Sequence, residues 1–467
     1  MMRGGANLPL VSSYNRGVVL DTIRTRGELS RVELAGMTGL TAPTVTNIVR
    51  RLIAEGYVVE AGQGASTGGK PRTLLRVNPW AGFAVGVQVD AEATTSVLVD
   101  LAGKVLERRS RRGGHRSPPA AVMARIAADV EELVSHAGVE RRLVIGVGVA
   151  VPGPIDHHRG MVLTPPNLPA WHDVALRDQL EELLPGLPVL VDNDATVAVM
   201  GERWVGGADT AENFACIYMG AGIGAGIFVD GQVYRGSSSN AGEIGHISLD
   251  VDGEECFCGN RGCLELFAAP RSIVAAARQH AFDFPDAETG LQLSASGRGV
   301  RADHARIARA AGAGVPYAVE AVERSARYLA LGVVTLVNLF DLELLVLAGQ
   351  GFAHVGERYV SAVRRELSTR SFARANHDVQ VRLSPIADDV GAVGAASMVL
   401  HSEFAPQMPD LRSLRRNAFA GPRSGEMPEA PSHQPSSPHH QPARPGAHRA
   451  VVRPLRRGAA HLPHHDR

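Results

Sequence analysis

Cysteine is scarce, with four residues in a chain of 467. So few cannot build a disulfide framework, and three of them crowd into one short stretch, so a reducing, cytoplasmic setting is expected. Net charge is lacking as well. Lysine plus arginine and aspartate plus glutamate stand at 48 each, so no global basic field advertises nucleic acid, and any DNA-binding surface must be local. No apolar run reaches the length of a membrane span. Met1 to Leu10 lacks the charged and then apolar pattern of a secretory signal. The composition is otherwise that of a globular protein, 45% hydrophobic and 21% charged. The chain is too long for one core, and two or three domains plus linkers are expected.

The segment from Asn15 to about Asn78 is rich in short helices. Ser30-Arg31-Val32-Glu33 has the form of a capping box, and Gly36-Met37-Thr38-Gly39 supplies a turn. A second helix is expected from about Thr41 to Ala54, where Val45, Ile48, Val49, Leu52 and Ile53 form one buried stripe. Its other face carries Thr44, Thr46, Asn47, Arg50 and Arg51, and Gly56 ends it. Tyr57–Glu60, a glycine-rich turn with Lys70 and Arg72, and Thr73–Val77 then read as strand, loop and strand, which is a wing.

From Phe83 the pattern changes to strands. Phe83–Val89, Thr95–Val99 and Val105–Ser110 form a meander with an Ala102-Gly103 turn. The cadence recurs at Phe214–Met219, Gly224–Val229 and Val233–Arg235. Two such meanders suggest two lobes built on one plan, with a ligand cleft between them. A long apolar helix is expected at about Tyr317 to Leu339. The stretch from about Pro406 to Arg467 is rich in Pro, Arg, His and Ser and is expected to be disordered.

Three constellations carry chemistry. His246, Cys256, Cys258 and Cys263 offer three thiolates and an imidazole, the donor set of a closed tetrahedral structural zinc site. Buried thiols or a disulfide are the alternatives, but cysteines one residue apart suit a relaxed disulfide poorly. Cys216 stands apart on a strand and reads as core. Next, Asp192-Asn193-Asp194 lies at a strand end entering a helix, where such side chains bind hydroxyls or simply cap the helix. The third is Gly220–Gly226 followed by Asn240–His246. Such glycine-rich hairpins can bring backbone N–H groups to a phosphate or a sugar, or can be tight turns only.

The run Ala241-Gly242-Glu243-Ile244-Gly245-His246, followed by Cys-x-Cys-Gly-x-x-Gly-Cys-x-Glu, resembles the signature of the ROK family (repressors, uncharacterised frames and sugar kinases). Pro152–Asp156, Pro166–Trp171 and Asn193-Asp194-Ala195 match further family segments in order. The resemblance covers about residues 80 to 402, and the preceding winged helix-turn-helix marks the repressor branch. It implies an α/β chain with a two-lobed, actin-like (ribonuclease-H-like) sugar-kinase fold behind the DNA-binding domain. The expected layout is a tail at 1–14 and a winged helix-turn-helix at 15–78. Lobe 1 follows at 79–193, completed by a C-terminal helix at about 388–402. Lobe 2, with the zinc site, spans 194–387, and the disordered tail spans 406–467.

Carried over residue by residue, the resemblance makes Asn193, Asp194, Glu243, His246 and Glu265 the sugar contacts. His246 would give one ring nitrogen to zinc and the other to the sugar. Asp194 matches the kinases' catalytic base. Active kinases of the family carry Asp-x-Gly-x-Thr in the first strand-turn-strand, where this chain has Gln88-Val89-Asp90-Ala91-Glu92. Carboxylates stand where a polyphosphate should pass, and Ala348-Gly349-Gln350-Gly351 departs from the family's adenosine-side glycine run. Phosphoryl transfer is therefore not expected.

The face Thr44, Thr46, Asn47, Arg50 and Arg51, with Lys70 and Arg72 in the wing, is the expected DNA surface. A helical docking module is the bland alternative for residues 15–78. The expected function is a sugar-responsive repressor that binds operator DNA and a sugar effector as a homodimer or higher homo-oligomer. The rivals are an ATP-dependent sugar kinase with a DNA-binding head, and a regulator whose body docks a protein.

Overall fold

The computed structural model describes residues 8–64, 71–114, 117–283, 291, 293–294 and 299–406. Lys70 and the expected tail beyond Pro406 lie outside the described residues.

The chain begins with α1 (Leu8–Arg26), β1 (Leu29–Ser30), α2 (Arg31–Thr38), α3 (Ala42–Ala54), β2 (Val58–Gln63) and β3 (Thr73–Val77). Helix α1 starts inside the stretch expected to be a tail at 1–14, so that expectation is corrected at its C-terminal half. The reason is tertiary, because Val19, Leu20 and Ile23 of α1 share a core with helices from the other end of the chain. The capping box is present: Ser30 Oγ accepts from the Glu33 amide and the Glu33 carboxylate accepts from the Ser30 amide. Thr41 caps α3, whose Val45, Val49 and Leu52 are buried while Ile48 and Ile53 pack at the margin. β3 pairs antiparallel with both β1 and β2, and a bulge between Glu60 and Gly62 bends the wing hairpin.

The body comprises β4 (Phe83–Val89), β5 (Ala93–Asp100), β6 (Val105–Arg112), α4 (Pro119–His136) and β7 (Val144–Val151). A small sheet of β8 (Ile155–Asp156), β9 (Met161–Val162) and β10 (Val174–Ala175) follows, then α5 (Leu176–Leu183), β11 (Val189–Asn193) and α6 (Asp194–Trp204). The second half contains β12 (Phe214–Met219), β13 (Ile223–Val229), β14 (Gln232–Val233), α7 (Leu264–Ala268), α8 (Pro270–Asp283), α9 (Val300–Gly312) and α10 (Pro316–Phe340). It ends with β15 (Leu344–Ala348), α11 (Gly356–Arg370), β16 (Gln380–Leu383) and α12 (Val390–Phe404).

The two large sheets have orders β11-β7-β4-β5-β6 and β14-β13-β12-β15-β16. In each, an antiparallel meander supplies three strands and two parallel strands extend the other side. That is one plan used twice, the actin-like arrangement. Every residue of β4 is buried, because α4 and α12 cover opposite faces of its sheet. Helix α12 also packs along α6, so the chain's last described helix ties the first sheet to the helix that follows β11. Among the described residues no helix is long and apolar enough to cross a membrane.

Candidate functional site

The loop between a single helical turn at Ile244–His246 and α7 gathers the four candidate metal ligands. The ligand atoms of His246, Cys256, Cys258 and Cys263 all lie within 4.8 Å of one another. His246 Nδ1 is 3.6 Å from Cys256 Sγ, and Cys258 Sγ is 3.7 Å from Cys263 Sγ. A tetrahedral ion with bonds of about 2.3 Å to sulfur separates its thiolates by about 3.7 Å, so the cluster has the dimensions of a metal cage. All four cysteines are free. Loop hydrogen bonds hold the shape: the Cys256 amide donates to Asn260 O at 2.8 Å, and Asn260 Nδ2 donates to His246 O at 3.1 Å. Cys216 is fully buried on β12, as expected of a core residue.

The same loop leads directly into α7. Glu265, at the start of α7, lies against the Gly220–Gly226 hairpin. Its Oε2 accepts from the Ile223 amide at 3.2 Å and its Oε1 pairs with Arg271 at 2.7 Å. A Cβ at Gly222 would stand 2.4 Å from that carboxylate, so a larger residue there would have to displace it. The hairpin's amide thus serves a protein carboxylate, and Glu265 is anchored on two sides.

Asn193 ends β11 and caps α6, its Oδ1 accepting from the Ala195 amide at 2.9 Å. The cap and the hydroxyl-binding readings are compatible, because the Nδ2 end is turned elsewhere. A Cβ at Gly153 would sit 3.1 Å from Asn193 Nδ2, 3.4 Å from Glu243 Oε1 and 3.9 Å from Asn240 Oδ1. Three polar side chains, Asn193 from one segment and Asn240 and Glu243 from another, therefore converge on the face of Gly153. Asp194 is half-buried beside them, and its carboxyl is pushed up to about 7 by desolvation, then by the fields of Glu243 and Asp90. Desolvation and the nearby Glu265 also hold Glu243 above the usual range, against the field of His246.

Residues outside the expected sugar contacts support the site. Asp192, fully buried, accepts from Arg235 Nε and Nη2 at 3.0 and 2.8 Å, and from the Asn193 amide at 2.9 Å. It fixes the backbone that presents Asn193 and Asp194. Asn240 Oδ1 accepts from the Ile155 amide at 3.1 Å, and its Nδ2 donates to Ile155 O at 3.0 Å. That pair ties the Gly153 loop to the segment leading to Glu243. Adjacency to the glycine–glutamate motif was a clue for Asn240; nothing marked Arg235.

The end of β4 carries Gln88, and the β4–β5 turn carries Asp90 and Glu92. Gln88 Nε2 donates to Tyr218 Oη at 2.5 Å, joining the central strands of the two large sheets. Asp90 Oδ1 accepts from the Ala91 amide at 2.5 Å, and burial raises its carboxyl above the usual range. Glu92 Oε1 accepts from the Arg301 amide at the start of α9 at 3.4 Å.

On the candidate DNA surface, Thr46, Asn47, Arg50 and Arg51 are exposed along α3, and Arg50 Nη2 donates to Asn47 Oδ1 at 3.0 Å. Thr44 is different. It is half-buried, and its hydroxyl lies 2.8 Å from the capping hydroxyl of Thr41, so it supports the helix start. Arg72 is exposed at the base of the wing.

Residues 84–402 match the ROK family, and residues 14–59 match the winged helix-turn-helix DNA-binding family. The chain is 31% identical over 402 residues to the xylose repressor of Caldicellulosiruptor bescii, covering 84% of this chain and 97% of that protein. A solved ROK family transcriptional regulator, a homologue of the E. coli MLC protein, superposes with a TM-score of 0.65 at 26% identity, covering 85% of this chain and 98% of that one. A ROK family glucokinase from Streptomyces griseus, solved with glucose and AMPPNP, superposes with a TM-score of 0.57 at 30% identity, covering 68% and 99%.

Proposed function

The chain belongs to the ROK family, and from that membership we propose that it is a sugar-responsive transcriptional repressor: its winged helix binds operator DNA and its cleft binds a sugar. The observation that carries this reading is the coexistence of a DNA-binding head with a polar cluster of Asn193, Asp194, Glu243, His246 and Glu265 behind an altered phosphate turn. Carboxylates and amides form paired hydrogen bonds with sugar hydroxyls, and a missing hydroxyl leaves a polar partner unanswered. Zinc is the metal that three thiolates and an imidazole suit best. With His246 Nδ1 turned to the thiolates, its other ring nitrogen is the one available to the cleft. Two operator half-sites call for paired heads, so the working form is a homodimer or higher oligomer.

Phosphoryl transfer is not part of this reading. Gln88 is tied to Tyr218 and carries no carboxylate to direct a metal, and Glu92 carries no hydroxyl where the family's kinases have threonine. A coupled assay with ATP, magnesium and a panel of hexoses is expected to give background only. Turnover at ordinary kinase rates, about 1–100 per second, that disappeared in Asp194→Asn would establish the rival reading, a sugar kinase with a regulatory head.

The DNA contacts are tested separately. Arg50 and Arg51 are exposed, so replacing either with alanine leaves the α3 core intact. Loss of whichever one meets a base should weaken operator binding by about 1–3 kcal/mol in a gel-shift titration. Lys70→Ala and Arg72→Ala should each lower the salt slope of binding by about one if they meet phosphates. Gel shifts unchanged after deletion of residues 1–78 would rule out the head as the DNA reader.

A further inference from the structure

A cavity of about 540 Å³ opens between the C-terminal part of α11 and β16, the edge strand of the second large sheet. Small-molecule sites occupy about 300–1,000 Å³. The cavity is not part of the sugar cleft. Gln380 on its wall pairs with Leu344, the first residue of β15. The cleft residues lie toward the other end of that strand, where Ala348 pairs with Tyr218 and Tyr218 with Gly224. A Cβ at Gly224 would stand 3.0 Å from the Ala195 methyl, beside Asp194. The rise from Leu344 to Ala348 is about 13 Å.

Arg364, Arg374, Arg382, His377 and Asp378 line the cavity. Two of the basic side chains are already answered: Arg382 Nη2 stands 3.6 Å from the buried carboxylate of Glu202, and His377 Nε2 lies 3.3 Å from Leu342 O. The other two are not. Arg364 Nη2 donates to Val381 O at 2.6 Å, and Arg374 Nη1 donates to Ser371 O at 2.9 Å. Among the described residues neither has a carboxylate within ion-pair distance, Asp378 included. Each guanidinium is thus anchored to a backbone carbonyl while most of its N–H donors stay unused.

We propose that this cavity is a second ligand site, which takes a phosphate monoester on a small, partly apolar body, with Arg364 and Arg374 on the phosphate. Nothing in it depends on the sugar-binding reading of the cleft. Forked guanidinium N–H groups match phosphate oxygens, and such charge-assisted bonds are stronger than neutral ones. A monoester carries a charge of about −1.5 to −2 at neutral pH, which two unanswered guanidiniums balance. Leu367, Val379 and Val381 line the cavity as well and give an organic body apolar surface to cover. Asp378 disfavours a second anionic group, so the ligand is charged at one end only.

The test is calorimetry on the full chain with phenyl phosphate, inorganic phosphate and phenol. Phenyl phosphate should bind, inorganic phosphate should bind more weakly, and phenol should give no measurable heat. Arg364→Ala and Arg374→Ala should each weaken phenyl phosphate by about tenfold or more. Asp378→Asn, at an exposed position, should tighten it. Thermal unfolding checks that each variant is folded. Affinity unmoved in both arginine variants and in Asp378→Asn would place the anion elsewhere on the chain and overturn the site. Inorganic phosphate bound as tightly as the ester would overturn the assignment of an organic body, and phenol bound as tightly would overturn the role of charge. Absence of binding by phenyl phosphate would overturn the site and leave the sugar-binding reading of the cleft untouched.

Discussion

Cys258→Ser is expected to yield protein that has lost its zinc and much of its ligand response. Cys258 is exposed, so serine there disturbs no packing, and any loss of stability reports the metal alone. Closed sites with this donor set supply on the order of 10 kcal/mol of apparent binding energy, comparable with the whole stability of a domain. The consequence reaches the cleft because the metal loop joins the turn bearing Glu243 and His246 to the start of α7, which bears Glu265. Without the ion, the imidazole loses what orients it, and the two carboxylates lose their common anchor. Elemental analysis should find about one zinc per chain in the native protein and far less in Cys258→Ser, with a large drop in unfolding temperature. Metal-free native protein that still bound sugar normally would overturn the assignment.

Sugar should change operator affinity by about 5- to 150-fold, the usual range for coupled sites, and the structure offers a short route for that coupling. Helix α6 begins at Asp194 in the cleft and ends at Trp204 against the DNA-binding head. Its eleven residues amount to a rod of about 15 Å. At the far end, the Arg24 guanidinium of α1 lies 4.0 Å from the Trp204 ring centroid and donates to Trp204 O at 2.5 Å. Asp21 bridges Arg24 and Arg203 at 2.7 and 3.2 Å. Helix α12 runs beside α6 and meets the head through an edge-on contact of Phe404 with Tyr57. A sugar that shifts Asp194 relative to Glu243 would thus move the seat of α1.

Binding alone does not produce regulation; the sugar must prefer one arrangement of the heads. Weakening of operator binding is the expected sign, as in induction of a repressor. Glu243→Ala should abolish the sugar response and leave sugar-free operator binding largely intact. Arg24→Met, which keeps the stem and removes the guanidinium, should retain both ligands while shrinking the coupling factor. Linkage requires that DNA change sugar affinity by the same factor, so identical sugar titrations with and without saturating operator would refute the coupling.

The sequence by itself determined the His246, Cys256, Cys258 and Cys263 grouping, the capping box, the buried stripe of α3, the wing strands and the doubled meander. Each is a local pattern: candidate ligands inside one loop, or a period of two or 3.6 that one face of a strand or helix must obey. It also identified the carboxylates of the β4–β5 turn, because a motif departs there in residue type. The tertiary structure alone decided the rest. Asp192 with Arg235, Ile155 with Asn240, Gln88 with Tyr218 and Arg24 with Trp204 are 43, 85, 130 and 180 residues apart. Thr44, expected as a DNA contact by its face, also bonds the capping hydroxyl of Thr41. Glu265, expected as a sugar contact, is held on two sides by Arg271 and the Ile223 amide. The start of α1 was hidden for a related reason, since part of its apolar face is answered by α6 and α12 rather than by neighbours in sequence. Local spacing fixes which chemistry a segment offers; only the closed fold fixes which of those groups are already satisfied and which remain for a ligand.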